Sequence, residues 1–304
     1  GFADGGVELL DRLGCAEALC FGSESGDAEA LLATARTLLS PELVPLLKQE
    51  LAGGASFPAA RQRALERLGA PGAALLERPN AILAVEYCKA LLRRGSRMRP
   101  IVLHRAGDYH GGSAADAPSA SFLRGQADWN DYMPEAARAA QAAAPRYTLA
   151  AGERAVLARL RAMGEDEFAA LPYGSEGLWQ KVMHACRTEA PLEGILAAAK
   201  SKRYPRTRLQ RLLLCAYLGI DAQTLLREAP YVRVLAFDEK GRTLLREMRK
   251  NGGLPIVNAG ERGPDAEYFA LECRCAALYG LFSENPAETN GVPEEKIRIF
   301  QRKN

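Results

Sequence analysis

The residues best suited to chemistry stand in five short stretches. Residues 21–27 read FGSESGD, where an apolar run from Ala18 ends in glycine, serine and acid. This is the pattern of a buried strand that opens into a ligand-touching loop, because ligands of open α/β sheets bind at the carboxyl ends of strands. Gly22 lets backbone approach a flat base or a ribose; the steric need of a strand–helix turn explains it as well. Asn80 follows Pro79 at a helix start, where its amide either caps the helix or offers donor and acceptor to an adenine or ribose edge. Arg105 ends the apolar run IVLH and suits phosphates or a base, or else solvent. Residues 118–124, PSASFLR, place Ser119 and Ser121 before a helical turn and Arg124 three residues after the second serine. Free N–H groups, hydroxyls and a guanidinium together suit a phosphate, and an ordinary serine cap is the alternative.

The fifth stretch is basic. Lys200, Lys202, Arg203, Arg206, Arg208 and Arg211 lie close together with Tyr204 among them, while Leu209, Leu212, Leu213 and Ala216 form one helical face. The cations therefore gather at the start and the opposite side of that helix. A phosphate backbone wants such a cluster and Tyr204 can stack a base; a solvated basic face is the plain alternative. A second basic run, LRRGSRMR, spans residues 92–99. The three histidines, His104, His110 and His184, are isolated and read as hydrogen-bonded structural residues.

Strands and helices must hold these groups. The pattern predicts the end of a helix at 7–13, a strand at 18–21 and a helix capped by Asp27. Further helices follow near 41–51, over RQRALERL and from Pro79 to Gly95, then a second strand at 100–105. Strands alternating with helices indicate a parallel α/β layer, and two strands are too few for a complete doubly wound sheet. Beyond Trp129 the periodicity is helical throughout, so the division expected is a partial α/β domain over 1–128 and a mostly α-helical domain over 129–304. The tail IRIFQRKN is expected to pack as a short extended piece or to fray.

Composition sets the outer limits. The chain has 304 residues, 48% hydrophobic and 25% charged, with a formal net charge of +3. That charge is too small to demonstrate a nucleic-acid partner, so local clustering has to decide. Seven cysteines, mostly in apolar runs, read as reduced thiols of a cytoplasmic protein. The C-x-C at Cys273 and Cys275 lacks a second cluster, and no metal is expected. No apolar run is long enough for a membrane span, and no signal peptide is read.

Taken in order, FGSESGD, PNAILAVEY, RPIVLHRAGDYH, PSASFLRG, YGSEGL, KRYPRTRLQRLLL and PYVRVLAFDEKGRTLL resemble one family, the bacterial tRNA(Met) cytidine acetate ligases, relatives of the HIGH-type nucleotidyltransferases. PSASFLRG also resembles the Ile-Ser-Ser-Thr-x-Ile-Arg phosphate motif of the wider superfamily, with Pro118 and Phe122 at two altered positions. The resemblance implies the C-terminal part of a Rossmann-like nucleotidyltransferase domain followed by tRNA-binding helices. It implies ATP, with Mg²⁺, as the activating substrate, acetate as the acyl source through acetyl-adenylate, and N4-acetylcytidine at the wobble position of elongator tRNA(Met) as product. Gly22, Asn80, Arg105, Ser119, Ser121 and Arg124 fall on ATP-binding positions; Lys202, Arg203, Tyr204, Arg206 and Arg208 are the RNA-binding candidates. None of the three histidines stands in the family's His-x-Gly-His segment, and the resemblance begins at the helix before FGSESGD. The expectation is a chain that holds one wall of the ATP site, inactive alone, with an open sheet edge that offers pairing to another copy. A non-catalytic RNA-binding protein and a nucleotidyltransferase of small metabolites are the competing readings.

Overall fold

The computed structural model describes residues 1–70, 72–105, 122–123, 130–201, 203–285 and 298–299. The chain forms two compact units. One comprises Phe2–Val7 and Ala16–Pro145; the other comprises Gly1, Glu8–Cys15 and Arg146–Asn304. The sequence placed a break at 128/129, whereas the contacts divide the chain after Pro145 and assign the end of the first helix to the second unit.

The first unit is a small α/β layer. Strand β1 (Ala18–Ser23) pairs in parallel with β2 (Arg99–His104), so that Ser23 lies opposite His104 and Gly22 opposite Leu103. Both strands run as expected, with slightly different ends. Between them come α2 (Ala28–Leu39), α3 (Leu43–Ala52), α4 (Phe57–Arg67) and α5 (Pro79–Arg94), after α1 (Phe2–Arg12). Helix α2 begins where Asp27 accepts from the N–H groups of Glu29 and Ala30, at 2.9 and 3.1 Å. Helix α5 ends at Gly95 in the left-handed conformation that glycine adopts without strain.

Period-2 alternation decides which face of the strand pair is covered. Phe21 is buried and stacks on Tyr87 of α5, with centroids 5.3 Å apart. Ala84, Val85 and Cys88 of α5 and Leu31, Ala35 and Leu38 of α2 complete that core. Cys20 and Gly22 point the other way, beside Ile101 and Leu103, which are 39% and 59% exposed.

The second unit is mainly helical. Helices Leu149–Ala162, Leu178–Thr188, Leu192–Ala199 and Arg206–Leu218 enclose Val156, Leu160, Phe168, Leu178, Ile195 and Leu212. The helical expectation omitted two short parallel pairs. Val232–Val234 pairs with Ile256–Asn258, and Ala236–Phe237 with Arg298–Ile299. Pieces of two or three residues carry too little alternation to be told from loop. The second pair gives the tail an extended partner, as expected for part of IRIFQRKN.

All seven cysteines are free. Burial pushes the Cys88 and Cys186 thiols up to about 11 and about 12, so neither is a nucleophile at neutral pH. Among the described residues no single helix is long and apolar enough to cross a membrane. No group of three or more His, Cys, Asp or Glu among them is placed to hold a metal ion.

Candidate nucleotide site and basic stretch

Two parallel strands deliver their carboxyl ends to the same edge. The N–H of Arg105 donates to the Ser23 carbonyl at 2.9 Å, which fixes the exit from β2 beside the loop that follows β1. Within that loop Ser25 N–H donates to Ser23 Oγ at 3.2 Å and Asp27 N–H to Ser25 Oγ at 3.1 Å. Gly26 has φ +66, which favours glycine, and a Cβ there would lie 3.1 Å from the His104 side chain, which would have to give by a few tenths of an ångström. Gly22 is different. Among the described residues a Cβ built on it would approach only the Leu103 carbonyl, at 4.0 Å, on the exposed side of the strand.

Glu24 ties a third element to this edge. Pro79 occupies the first turn of α5 and has no N–H, so the first donors of that helix are Asn80 and Ala81. Glu24 takes both. Its Oε2 accepts from Ala81 N–H at 2.8 Å, and its Oε1 accepts from Asn80 N–H at 3.3 Å and from Asn80 Nδ2 at 2.8 Å. Asn80 is therefore held with its amide nitrogen spent on Glu24, while Glu24 caps a helix 56 residues away. Sequence reasoning singled out Asn80 and passed over Glu24, because the capping acid lies in another segment; the absence of a capping side chain at Arg78 was the one available signal.

Gly22, Asn80 and Arg105 thus meet at one carboxyl edge, with Arg105 exposed. Ser119, Ser121 and Arg124 lie outside the described residues, as does Lys202.

Burial pushes the Glu24 carboxyl up, but hydrogen bonds from its own N–H and from Asn80 and Ala81 outweigh it, so its pKa is lowered below the ordinary 4.5. A carboxyl depressed in the folded state contributes stability above its unfolded pKa and loses it as pH falls through the lowered value. Glu24→Ala is expected to cost about 1–2 kcal/mol, the scale of a lost N-cap. Glu24→Gln, with one acceptor oxygen for three donors, is expected to cost less. Urea denaturation at pH 7 and at pH 3 checks both signs, since the difference between wild type and Glu24→Ala shrinks at the acid end.

The basic stretch is largely occupied by its own protein. In the loop at residues 171–177, Tyr173 and Glu176 adopt left-handed φ values of 67° and 65°, unusual for residues other than glycine. Arg208 donates through Nε to the Tyr173 carbonyl and through Nη2 to Ser175 Oγ, both at 2.9 Å. Arg203 reaches Glu176 Oε1 at 3.0 Å, and the Arg211 guanidinium lies 5.2 Å from the Tyr173 ring centroid. Arg206 forms a two-pronged pair with Glu193, which holds that carboxyl low and raises the arginine. Tyr204 is 9% exposed, donates to the Glu176 carbonyl at 2.6 Å and carries Arg208 over its ring. The basic stretch thus carries intramolecular partners at Arg203, Arg206 and Arg208, and Tyr204 is buried with its ring covered by Arg208. Tyr204 belongs to the helical core, and the arginines clamp a strained loop whose carbonyls and Glu176 were invisible as their partners in one dimension. Leu209, Leu212, Leu213 and Ala216 do form the buried face of the helix.

A parallel strand pair flanked by helices, with glycine, amide and guanidinium at its carboxyl edge, has the character of a nucleotide-binding α/β layer. The sequence model of the HIGH Nucleotidyl Transferase family matches residues 1–293. A tRNA(Met) cytidine acetate ligase of Alkaliphilus metalliredigens is 29% identical, over 99% of this chain and 80% of its own length. One of Syntrophomonas wolfei is 31% identical, over 94% of this chain and 77% of its own length. The crystal structure of Thermotoga maritima TmcAL bound with alpha-thio ATP superposes with a TM-score of 0.83 at 27% identity, covering 98% of this chain and 80% of that one. The chain belongs to the tRNA(Met) cytidine acetate ligase family of HIGH nucleotidyl transferases.

Proposed function

We propose that this protein serves an ATP-dependent acetylation of tRNA. Acetate attacks the α-phosphorus of ATP and pyrophosphate leaves, giving acetyl-adenylate. The N4 amine of the wobble cytidine in elongator tRNA(Met) then attacks the acyl carbon, AMP departs, and a proton is released from nitrogen. The observation that carries the reading is the meeting of Gly22, Asn80 and Arg105 at one carboxyl edge, in a chain whose relatives are named for this activity.

Each group has a part that follows from its chemistry. Gly22, without a side chain on the open face, admits the flat base or ribose against backbone. Asn80, fixed by Glu24, keeps its amide oxygen as an acceptor. Arg105 supplies charge to the phosphates, and Ser119, Ser121 and Arg124 form the phosphate motif. Mg²⁺ would travel with the nucleotide phosphates and offset their charge. The helical unit takes the RNA.

The test uses protein expressed from the whole reading frame, with elongator tRNA(Met), labelled acetate and ATP. The expected result is label in cytidine with AMP and pyrophosphate in equal amount. ADP as the nucleotide product, or label that does not enter the RNA, overturns the reading. Arg105→Ala is expected to raise KM for ATP about tenfold, as for one lost charged hydrogen bond.

A further inference from the structure

The helix Glu239–Asn251 differs from the basic stretch at residues 200–211, where Arg203 and Arg206 are paired with acids. It carries Arg242, Arg246, Arg249 and Lys250, spaced so that they fall within an arc of roughly 100° on one side. All four are exposed. Among the described residues none of the four makes a hydrogen bond or an ion pair. Leu244, Leu245 and Met248 occupy another side of the helix, and the acid Glu247 accepts from Asn251 at 3.2 Å.

The platform is also held in place. Asp238 caps its start, accepting from Gly241 N–H at 2.8 Å. At its end Gly252 N–H donates to the Met248 carbonyl and Gly253 N–H to the Arg12 carbonyl, both at 2.8 Å. A Cβ on Gly14 would lie 2.4 Å from the Asn251 carbonyl and one on Gly252 2.8 Å from the Leu13 carbonyl, so the close crossing of the two segments depends on glycine. Two of the cations, Arg249 and Lys250, lie in the last turn, where the helix dipole favours them.

We propose that Arg242, Arg246, Arg249 and Lys250 form a docking surface for the phosphate backbone of the RNA substrate. The proposal rests on the tRNA reading above and names the surface that reading lacks. Four cations on one side of a helix, unpaired among the described residues, complement a line of phosphate charges. A cation already bonded to a carboxylate must break that bond before it neutralises a phosphate, and Arg203 and Arg206 are bonded to Glu176 and Glu193. Among the described residues the four cations of this helix have no bond to break, so each phosphate contact adds its full release of counterions. Arginines at i, i+4 and i+7 present a row along the helix, which suits a regular line of backbone charges and reads no base sequence.

The test is a salt titration of elongator tRNA(Met) binding to the whole protein, followed by fluorescence anisotropy between 50 and 200 mM KCl. The combined variant R242A/R246A/R249A is compared with wild type and with R203A/R206A, each checked for an unchanged melting curve. The expected result is at least tenfold weaker binding at the lower salt and a log–log salt slope shallower by about 2–3 for the first variant. R203A/R206A is expected to alter affinity less than threefold. Wild-type affinity and slope in R242A/R246A/R249A, alongside normal binding by wild type, overturn this surface and leave the tRNA reading standing. Absence of any salt-dependent tRNA binding by wild type overturns the tRNA reading itself and this surface with it. Equal loss with a scrambled RNA of the same length supports backbone docking; a loss confined to tRNA(Met) overturns it in favour of base readout.

Discussion

Leu212→Ala is expected to destabilise the protein by about 2–5 kcal/mol, the range for a buried leucine replaced by alanine. Leu212 has no exposed surface and sits among Leu209, Leu213, Ala216 and the residues packed on them. The loss combines transfer free energy with a cavity that well-packed neighbours cannot close. Its Cδ1 also lies toward Gly174 in the strained loop, where a Cβ built on that glycine would be 3.7 Å away. The truncation therefore undermines both the helix and the loop that the helix holds. Calorimetry or denaturant unfolding measures the loss. A change below 1 kcal/mol would mean that the site collapses around the missing atoms.

Arg208→Ala is expected to cost about 1.5–3 kcal/mol, on the scale of hydrogen bonds made by a charged donor. The guanidinium does two jobs at once. It bonds the Tyr173 carbonyl and Ser175, and it lies over the Tyr204 ring. Tyr173 and Glu176 hold left-handed conformations only while the surroundings over-determine them. Without Arg208 the loop loses two of its restraints and relaxes toward ordinary φ. Arg208→Lys keeps charge but presents a single rotating ammonium instead of a planar fork, so it should recover only part of the loss. Denaturation midpoints for wild type, Arg208→Lys and Arg208→Ala are expected to fall in that order. If Lys and Ala behave alike, geometry and not charge carries the clamp.

Much of the scaffold was legible because the signals were local. Asp27 stood one residue before a helical pattern and does cap it. Pro79 and Gly95 bracketed a helix that runs from one to the residue before the other. Both α/β strands were apolar runs with β-branched or aromatic residues between glycines and charges, and they pair in parallel as alternation with helices implies. The small strands at 232–234 and 256–258 were not legible, since three residues cannot display a period. The candidate site was legible in part. Its glycine, asparagine and arginine were marked by type and by position at element ends. Glu24, which holds one of them, was not marked, because its partner is 56 residues on.

What the sequence by itself determined was the identity of the family and the places where strands become loops, since both depend on residue order and on interactions within a few positions. Only the tertiary structure decided which charges are free. Arg203, Arg206 and Arg208 read in sequence as a basic cluster, and in the structure Glu176, Glu193 and the Tyr173 carbonyl lie against them. The arginines of Glu239–Asn251 drew no notice as a cluster, yet they stand exposed and unpaired among the described residues. The physical reason is that a charge is neutralised by whatever lies within a few ångströms, and distance through space is not written in the order of the chain.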